Sequence, residues 1–267
     1  MGSRSVAPAP IEVRGLSHYF LRRAEGHAEA VAALADINLA VRPAEFVALV
    51  GPSGCGKTTL LNILSGLIEV QQGYVSVLNA PPAAARRDVA YMFARDALLP
   101  WRTTLRNVTL GLEPLKLPAA ELRERASQML ERVKLGDFLH AYPSQLSQGM
   151  RQRVALARTF ALPSQVLLMD EPFAALDAHL RIEAGDLLLQ LWERDRRTVV
   201  FVTHDLHEAI ALADRVIVLK PRPGRIATEL LIPFSRPRSV EELQENPDYH
   251  DFYRHLWRAM AATEGRR

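Results

Sequence analysis

The stretch GPSGCGKT, Gly51 to Thr58, constrains this chain more than any other. It follows EFVALV, a near-continuous apolar run of strand length, and precedes TTLLNILSGL, whose apolar residues recur at helical spacing. A strand turning through glycines into a helix is the setting in which G-x-x-x-x-G-K-[ST] holds phosphate. The glycines let backbone N–H groups turn inward around phosphate oxygens, and the helix adds its positive N-terminal end. Lys57 is placed to reach the β- and γ-phosphates, and the Thr58 hydroxyl to ligate Mg²⁺. Nucleotide contacts are expected over Gly51, Pro52, Ser53, Gly54, Cys55, Gly56, Lys57, Thr58 and Thr59.

QVLLMDEP supplies a second part. Val166 to Met169 read as a central strand that ends in Asp170 and Glu171. In open parallel sheets ligands lie at the carboxyl ends of strands, which brings both acids beside the phosphates. Asp170 suits Mg²⁺, held through water, and Glu171 suits general-base activation of an attacking water. TVVFVTHD places His204 at the end of a further apolar strand, where an imidazole is able to bond a phosphate and orient the water.

The remaining pattern alternates short apolar strands with helices, which predicts an α/β fold with a mostly parallel sheet, a P-loop NTPase core. IEVRGL and INLAV read as antiparallel edge strands separated by a charged, Ala-rich loop at 21–35. GYVSVL, DVAYMF and RVIVLK read as further strands. AAELRERASQMLERVKL and MRQRVALARTFAL read as helices of a subdomain inserted at about 95–163. The core domain is expected over 11–235. A helical extension over 236–267 packs Leu243, Phe252 and Leu256 against it, and the first ten residues read as a loose tail.

Composition narrows the class. A hydrophobic share of 48% and a charged share of 24% over 267 residues fit an ordinary globular chain. One cysteine excludes an internal disulfide and suits a reducing compartment. No signal peptide is read in MGSRSVAPAP, and no run reaches the ~18 apolar residues of a spanning helix, so a soluble chain is expected. The net charge of +3 is spread rather than striped, so no nucleic-acid partner is expected.

LSQGMRQRVALAR, Leu146 to Arg158, resembles the LSGGQ-type signature of ATP-binding cassette (ABC) ATPases. The order of phosphate loop, helical insert, signature, acidic strand, FAALD and histidine strand resembles that family along nearly the whole chain. The resemblance implies an ATPase that uses ATP and Mg²⁺ in a head-to-tail dimer, with a second copy of itself or with a paralogous ATPase. It implies that Tyr19 stacks on adenine, that Ser147 and Gly149 close over the γ-phosphate held by the other subunit, and that Asp177 communicates across the dimer. Ser147 also suits the N-cap of the helix that follows it. ALLPWRT and KPRPGRI resemble importers of nitrate, sulfonates, taurine or related small anions. A permease in the membrane, an extracytoplasmic solute-binding protein behind it and a place on the cytoplasmic face of the cell membrane are therefore implied. Other readings are a soluble nucleic-acid-associated ABC ATPase and a regulatory module that binds ATP with little turnover.

One stretch departs from the family pattern. In YMFARDALLPW, Ala94 stands where family members usually carry a glutamine that senses Mg²⁺ and water, in a loop that contacts the permease. Alanine offers no side-chain hydrogen bond. Arg95 or Asp96 are the neighbours with polar groups to replace it.

Overall fold

The computed structural model describes residues 8–24 and 27–263. Its main sheet has six strands in the order β5-β6-β7-β3-β8-β9. These are β3 (Phe46–Val50), β5 (Val89–Met92), β6 (Val166–Asp170), β7 (Thr198–Val202), β8 (Arg215–Lys220) and β9 (Arg225–Leu231). All are parallel except β9, which closes the edge antiparallel to β8. The apolar runs EFVALV, QVLLMD and TVVFVT form central strands because both their faces are covered. Every residue of β3, β6 and β7 is buried.

The pleat sends alternate residues of β3 to opposite sides. Phe46, Ala48 and Val50 join a core with Trp192 and Phe201, and Val47 and Leu49 join one with Leu60 and Leu64 of α1 (Lys57–Leu64). The second core is roofed by a three-stranded antiparallel sheet, β2-β1-β4, of β1 (Ile11–Ala24), β2 (His27–Val41) and β4 (Gln72–Val77). A short helix, α2 (Pro82–Ala85), leads into β5.

Between β5 and β6 the chain runs through α3 (Thr104–Leu112), α4 (Ala119–Arg132) and α5 (Gln148–Ala161). They pack through Val108, Leu112, Leu130, Val154 and Leu156, all fully buried. α6 (Ala178–Asp195) and α7 (Leu206–Leu212) follow β6 and β7. The chain then continues into α8 (Val240–Gln244) and α9 (Pro247–Ala261), which bury Leu243 and Leu256. Phe252 is only partly buried.

The loop expected at 21–35 is instead a strand pair. Leu21 pairs with Ala30, Phe20 with Val31 and Tyr19 with Ala32. Small and polar side chains gave no apolar alternation there, yet cross-strand pairing still satisfies the backbone donors and acceptors of the ribbon. β1 is also interior to its sheet, with β4 on its other side. β9 carries no strong strand signal in the sequence, because its residues alternate exposed and half-buried on a sheet edge. The loose tail read at residues 1–10 falls, over residues 1–7, outside the described residues.

Candidate active site

Strand order places the site. β7 lies between β3 and β6, so the phosphate loop after β3, the acids after β6 and His204 after β7 leave the sheet side by side. Gly54 and Gly56 hold φ of 77° and 94°, a left-handed region that residues with a Cβ adopt at a cost. Gly56 also caps α1 without a side chain, and a Cβ there would press on Leu34. The cleft beside the loop measures about 460 Å³. Ser53, Gly54, Gly56, Lys57, Thr58 and Thr59 line one side, and Glu171 joins them.

Lys57 is buried, and its Nζ donates to the carbonyls of Gly51 at 2.7 Å and Pro52 at 3.2 Å. The Cys55 side chain lies beneath the loop, 3.8 Å from that ammonium, and burial pushes its thiol pKa up. Gly51, Pro52 and Cys55 therefore do not line the cleft themselves; they shape the loop from behind.

The Thr58 hydroxyl donates to Asp170 at 3.1 Å. These two oxygens are the donor type that Mg²⁺ takes, and with phosphate oxygens and water they fit its preference for few protein ligands. Burial raises the Asp170 pKa, opposed by the Thr58 hydrogen bond. Behind them the Tyr91 hydroxyl sits 3.0 Å from Asn62 Oδ1 and 3.5 Å from Asp170 Oδ2, joining β5, α1 and β6 in one polar chain. Burial raises the Tyr91 pKa, so the phenol stays protonated as a donor.

Glu171 holds φ of 45°, and its N–H donates to Val202 O at 2.9 Å. A non-glycine residue in that conformation costs on the order of 1 kcal/mol, here fixed by the ladder to β7. Its Oε2 lies 3.4 Å from His204 Nδ1. The acid and the imidazole thus meet at the mouth of the cleft.

Ser147, Gly149 and Asp177 form a separate group, and none of them lines the cleft. Ser147 caps α5 through Met150 N at 3.2 Å, and the helix starts at Gln148. Asp177 caps α6 through Leu180 N at 2.9 Å. Gln148 Nε2 donates to Ala175 O at 2.5 Å, and Gly149 faces Leu180, so the signature stretch and the turn before α6 are packed together.

Two expectations are corrected. The aromatic residue lining the cleft is Phe20, not Tyr19. Adjacent residues of a strand point to opposite faces, so only one of the pair is able to face the loop. Phe20 stacks edge-on against buried His18, on its own side of β1. The segment SHYF does not by itself say which of its two aromatic residues faces the loop; pairing with β2 decides it. Nor does Asp96 replace a glutamine at position 94. Its carboxylate pairs with Arg151 Nε at 3.1 Å and accepts from Leu98 N at 3.2 Å, while Arg158 donates to the Asp96 and Ala97 carbonyls. The loop is therefore tied to α5, and Arg95 is exposed.

A family model described as ABC transporter matches residues 34–174. An uncharacterised ABC transporter ATP-binding protein of Methanocaldococcus jannaschii is 45% identical over 237 residues, 88% of this chain and 87% of the relative. A taurine import ATP-binding protein, TauB, of Pseudomonas entomophila is 40% identical over 227 residues, 84% of this chain and 88% of the relative. Among solved structures, the dimeric post-hydrolysis state of the ATP-binding cassette MJ0796 bound to ADP and Pi matches with a TM-score of 0.73 and 32% identity. It covers 84% of this chain and 100% of the other.

Beneath the histidine turn lies a buried acid with a pH signature. The Thr203 hydroxyl donates to Glu208 at 2.5 Å, and burial pushes the Glu208 carboxyl up from its ordinary 4.5 to about 7. The folded state thus favours the protonated form. That stabilisation is complete below the ordinary value and is lost as pH rises through about 7. Between pH of about 5 and 8 the protein should lose about 2–3 kcal/mol relative to Glu208→Gln, which does not ionise. Urea midpoints of both proteins across that range check it; parallel curves would contradict it.

Proposed function

Because this chain belongs to the ABC transporter family, we propose that it is the ATP-hydrolysing subunit of an importer for a small anionic solute. It is an ABC ATPase built on a P-loop NTPase fold. The observation that carries the catalytic reading is the convergence of Lys57, Thr58, Asp170, Glu171 and His204 at the carboxyl ends of three adjacent strands. Thr58 and Asp170 would hold Mg²⁺, which when bound neutralises charge on the β- and γ-phosphate oxygens. Lys57 leaves its loop carbonyls for phosphate oxygens. Glu171 takes the proton of the attacking water, and His204 orients that water against the terminal phosphate. Phe20 stacks on the base. The ATPase domain is taken as 11–235, with α3 to α5 as its inserted helical part and α8 and α9 as an extension.

The dimer reading is supported by the separation of Ser147, Gly149 and Asp177 from the cleft and by the dimeric state of the cassette it resembles. Those residues are available to a second subunit, a copy of this chain or a paralogue. Among the described residues no helix is long and apolar enough to cross a membrane, so an importer role needs a permease partner. The loop after β5 offers a docking face. Trp101 is 70% exposed and Phe93 48%. Phe138 and Tyr142 are also exposed, on a segment whose Leu139 and Ala141 carbonyls accept from Leu105 and Thr104 at the start of α3. Attachment there puts the chain on the cytoplasmic face of the membrane, with a solute-binding protein on the far side. The taurine import relative, with the ALLPWRT and KPRPGRI stretches, supports taurine, a sulfonate or nitrate as the solute.

The central experiment is Glu171→Gln in the assembled transporter. Nucleotide binding should persist while hydrolysis slows by ~10²–10⁴, with the ATP-bound dimer accumulating. Near-normal turnover would remove Glu171 from its role. For the base, Phe20→Ala should weaken ADP binding by about tenfold, while Tyr19→Ala leaves it within about twofold; isothermal titration tells the two residues apart. For the loop, Ala94→Gln should raise basal ATPase of the isolated subunit or lower its Mg²⁺ requirement, with ATP affinity nearly unchanged. Asp96→Ala should not mimic a lost metal contact, because its carboxylate is spent on Arg151. A variant whose Mg²⁺ requirement rises would overturn that.

A further inference from the structure

KPRPGRI forms the turn between β8 and β9, and part of it reaches the nucleotide cleft. Gly224 is its anchor. Its N–H donates to Ala33 O at 3.0 Å, and its carbonyl accepts from Ala35 N at 2.9 Å. Gly224 is buried, and a Cβ there would collide with the carbonyls of Cys55 and Ala33. The turn is thereby pressed onto the phosphate loop and β2 at once. The position tolerates only glycine, and the turn cannot lift away from β2 without losing both hydrogen bonds.

Arg222 stands two residues before this anchor. Its φ of 58° is left-handed, an uncommon conformation for a residue with a long side chain. It lines the cleft together with Phe20, Ser53, Gly54 and Lys57. Among the described residues, several arginines elsewhere in the chain are engaged, and others are free on the surface away from the cleft. Arg151 pairs with Asp96, Arg181 with Asp205, and Arg215 with Glu45. Arg222 makes no hydrogen bond or ion pair among the described residues, and it is exposed. A left-handed backbone thus sets Arg222, with no hydrogen-bond or ion-pair partner among the described residues, at the wall of a cleft built for an anion.

We propose that Arg222 is a further nucleotide-binding residue, whose guanidinium pairs with the phosphates nearest the base, those that ATP and ADP share. The inference rests on the reading of this cleft as the ATP site. Its position follows from the anchor. Gly224 touches Ala33 on the wall that carries Phe20 and Cys55 in the phosphate loop, so Arg222 enters where the base wall meets the phosphate wall. Thr58, Asp170 and Glu171 serve the terminal phosphate instead. A planar guanidinium presents a fork of donors that matches phosphate oxygens, and it stays charged at any working pH.

The test uses the full chain and measures ADP, and ATP in the presence of EDTA, by isothermal titration. Arg222→Gly is the informative variant, because glycine adopts the left-handed conformation freely and removes only the side chain. Arg222→Asn, also tolerant of that φ, is a second neutral replacement. Both should weaken ADP and ATP alike by roughly tenfold, with the melting temperature of the nucleotide-free protein unchanged or raised. Arg222→Lys, which keeps the charge, should recover most of that loss. In turnover assays KM for ATP should rise while kcat moves less than about twofold. Affinities within about twofold of wild type in both neutral variants would overturn the proposal. So would a loss confined to ATP, which marks a terminal-phosphate contact, or a lysine variant as weak as glycine, which marks stacking on the base. Failure of the ATP reading itself looks different: wild type would not bind ADP, or Lys57→Ala would bind it as tightly as wild type.

Discussion

Parallel pairing of β3, β7 and β6 is the constraint on which the rest depends. Parallel strands carry their carboxyl ends to one edge, and the pairing of Leu49 with Val202 and of Asp170 with Val202 levels those ends. Three residues distant in sequence, Lys57, Glu171 and His204, become neighbours because their strands do. The pairing is itself held by burial on both faces, where each apolar side chain contributes roughly 1.5–3 kcal/mol relative to exposure. The site is therefore a by-product of the core: a polar edge on a sheet whose central strands β3, β6 and β7 hold only Thr198 as a polar residue besides Asp170.

On that edge, backbone conformation does as much as side-chain chemistry. Gly54 and Gly56 turn the loop with positive φ, Glu171 is held in the same region by a hydrogen bond to β7, and Arg222 is held there by the packing of Gly224. For Glu171 and Arg222 this is a conformation that an isolated chain avoids, and all four residues face one cleft. Strain gathered around a single cavity indicates that the surrounding fold over-determines these positions.

The loop after β5 shows how a missing contact is distributed. Ala94 presents no polar group, and Asp96 is committed to α5 through Arg151. The polar group that does approach Asp170 from β5 is Tyr91, which comes from the strand and not from the loop. The Asp170 carboxylate is thus braced by the rigid sheet. The loop is left coupled to α5, whose N-terminus carries Ser147 and Gly149. A partner pressing on Phe93 and Trp101 would move the loop and the signature helix together.

The sequence by itself determined the phosphate loop, the strand–helix alternation and the acids of DEP, because each depends on local pattern. A glycine-lysine turn between a buried strand and a helix has one geometry whatever surrounds it, and a continuous apolar run must be covered on both faces. The N-caps at Ser147 and Asp177 were legible or latent for the same reason, being satisfied within one turn. Tertiary structure decided what lay between elements. The outer part of the ribbon, at 21–35, has too little apolar alternation to announce its strands, and only cross-strand pairing formed it. That pairing then chose Phe20 over Tyr19 for the cleft, since the strand's face is set by its partner and not by its own residues. Arg222 and Tyr91 carry no local signal of their site. They reach it because Gly224 fits only against Cys55 and Ala33, and because β5 lies next to β6, contacts that link residues far apart in the chain and exist only once the sheet has closed around them.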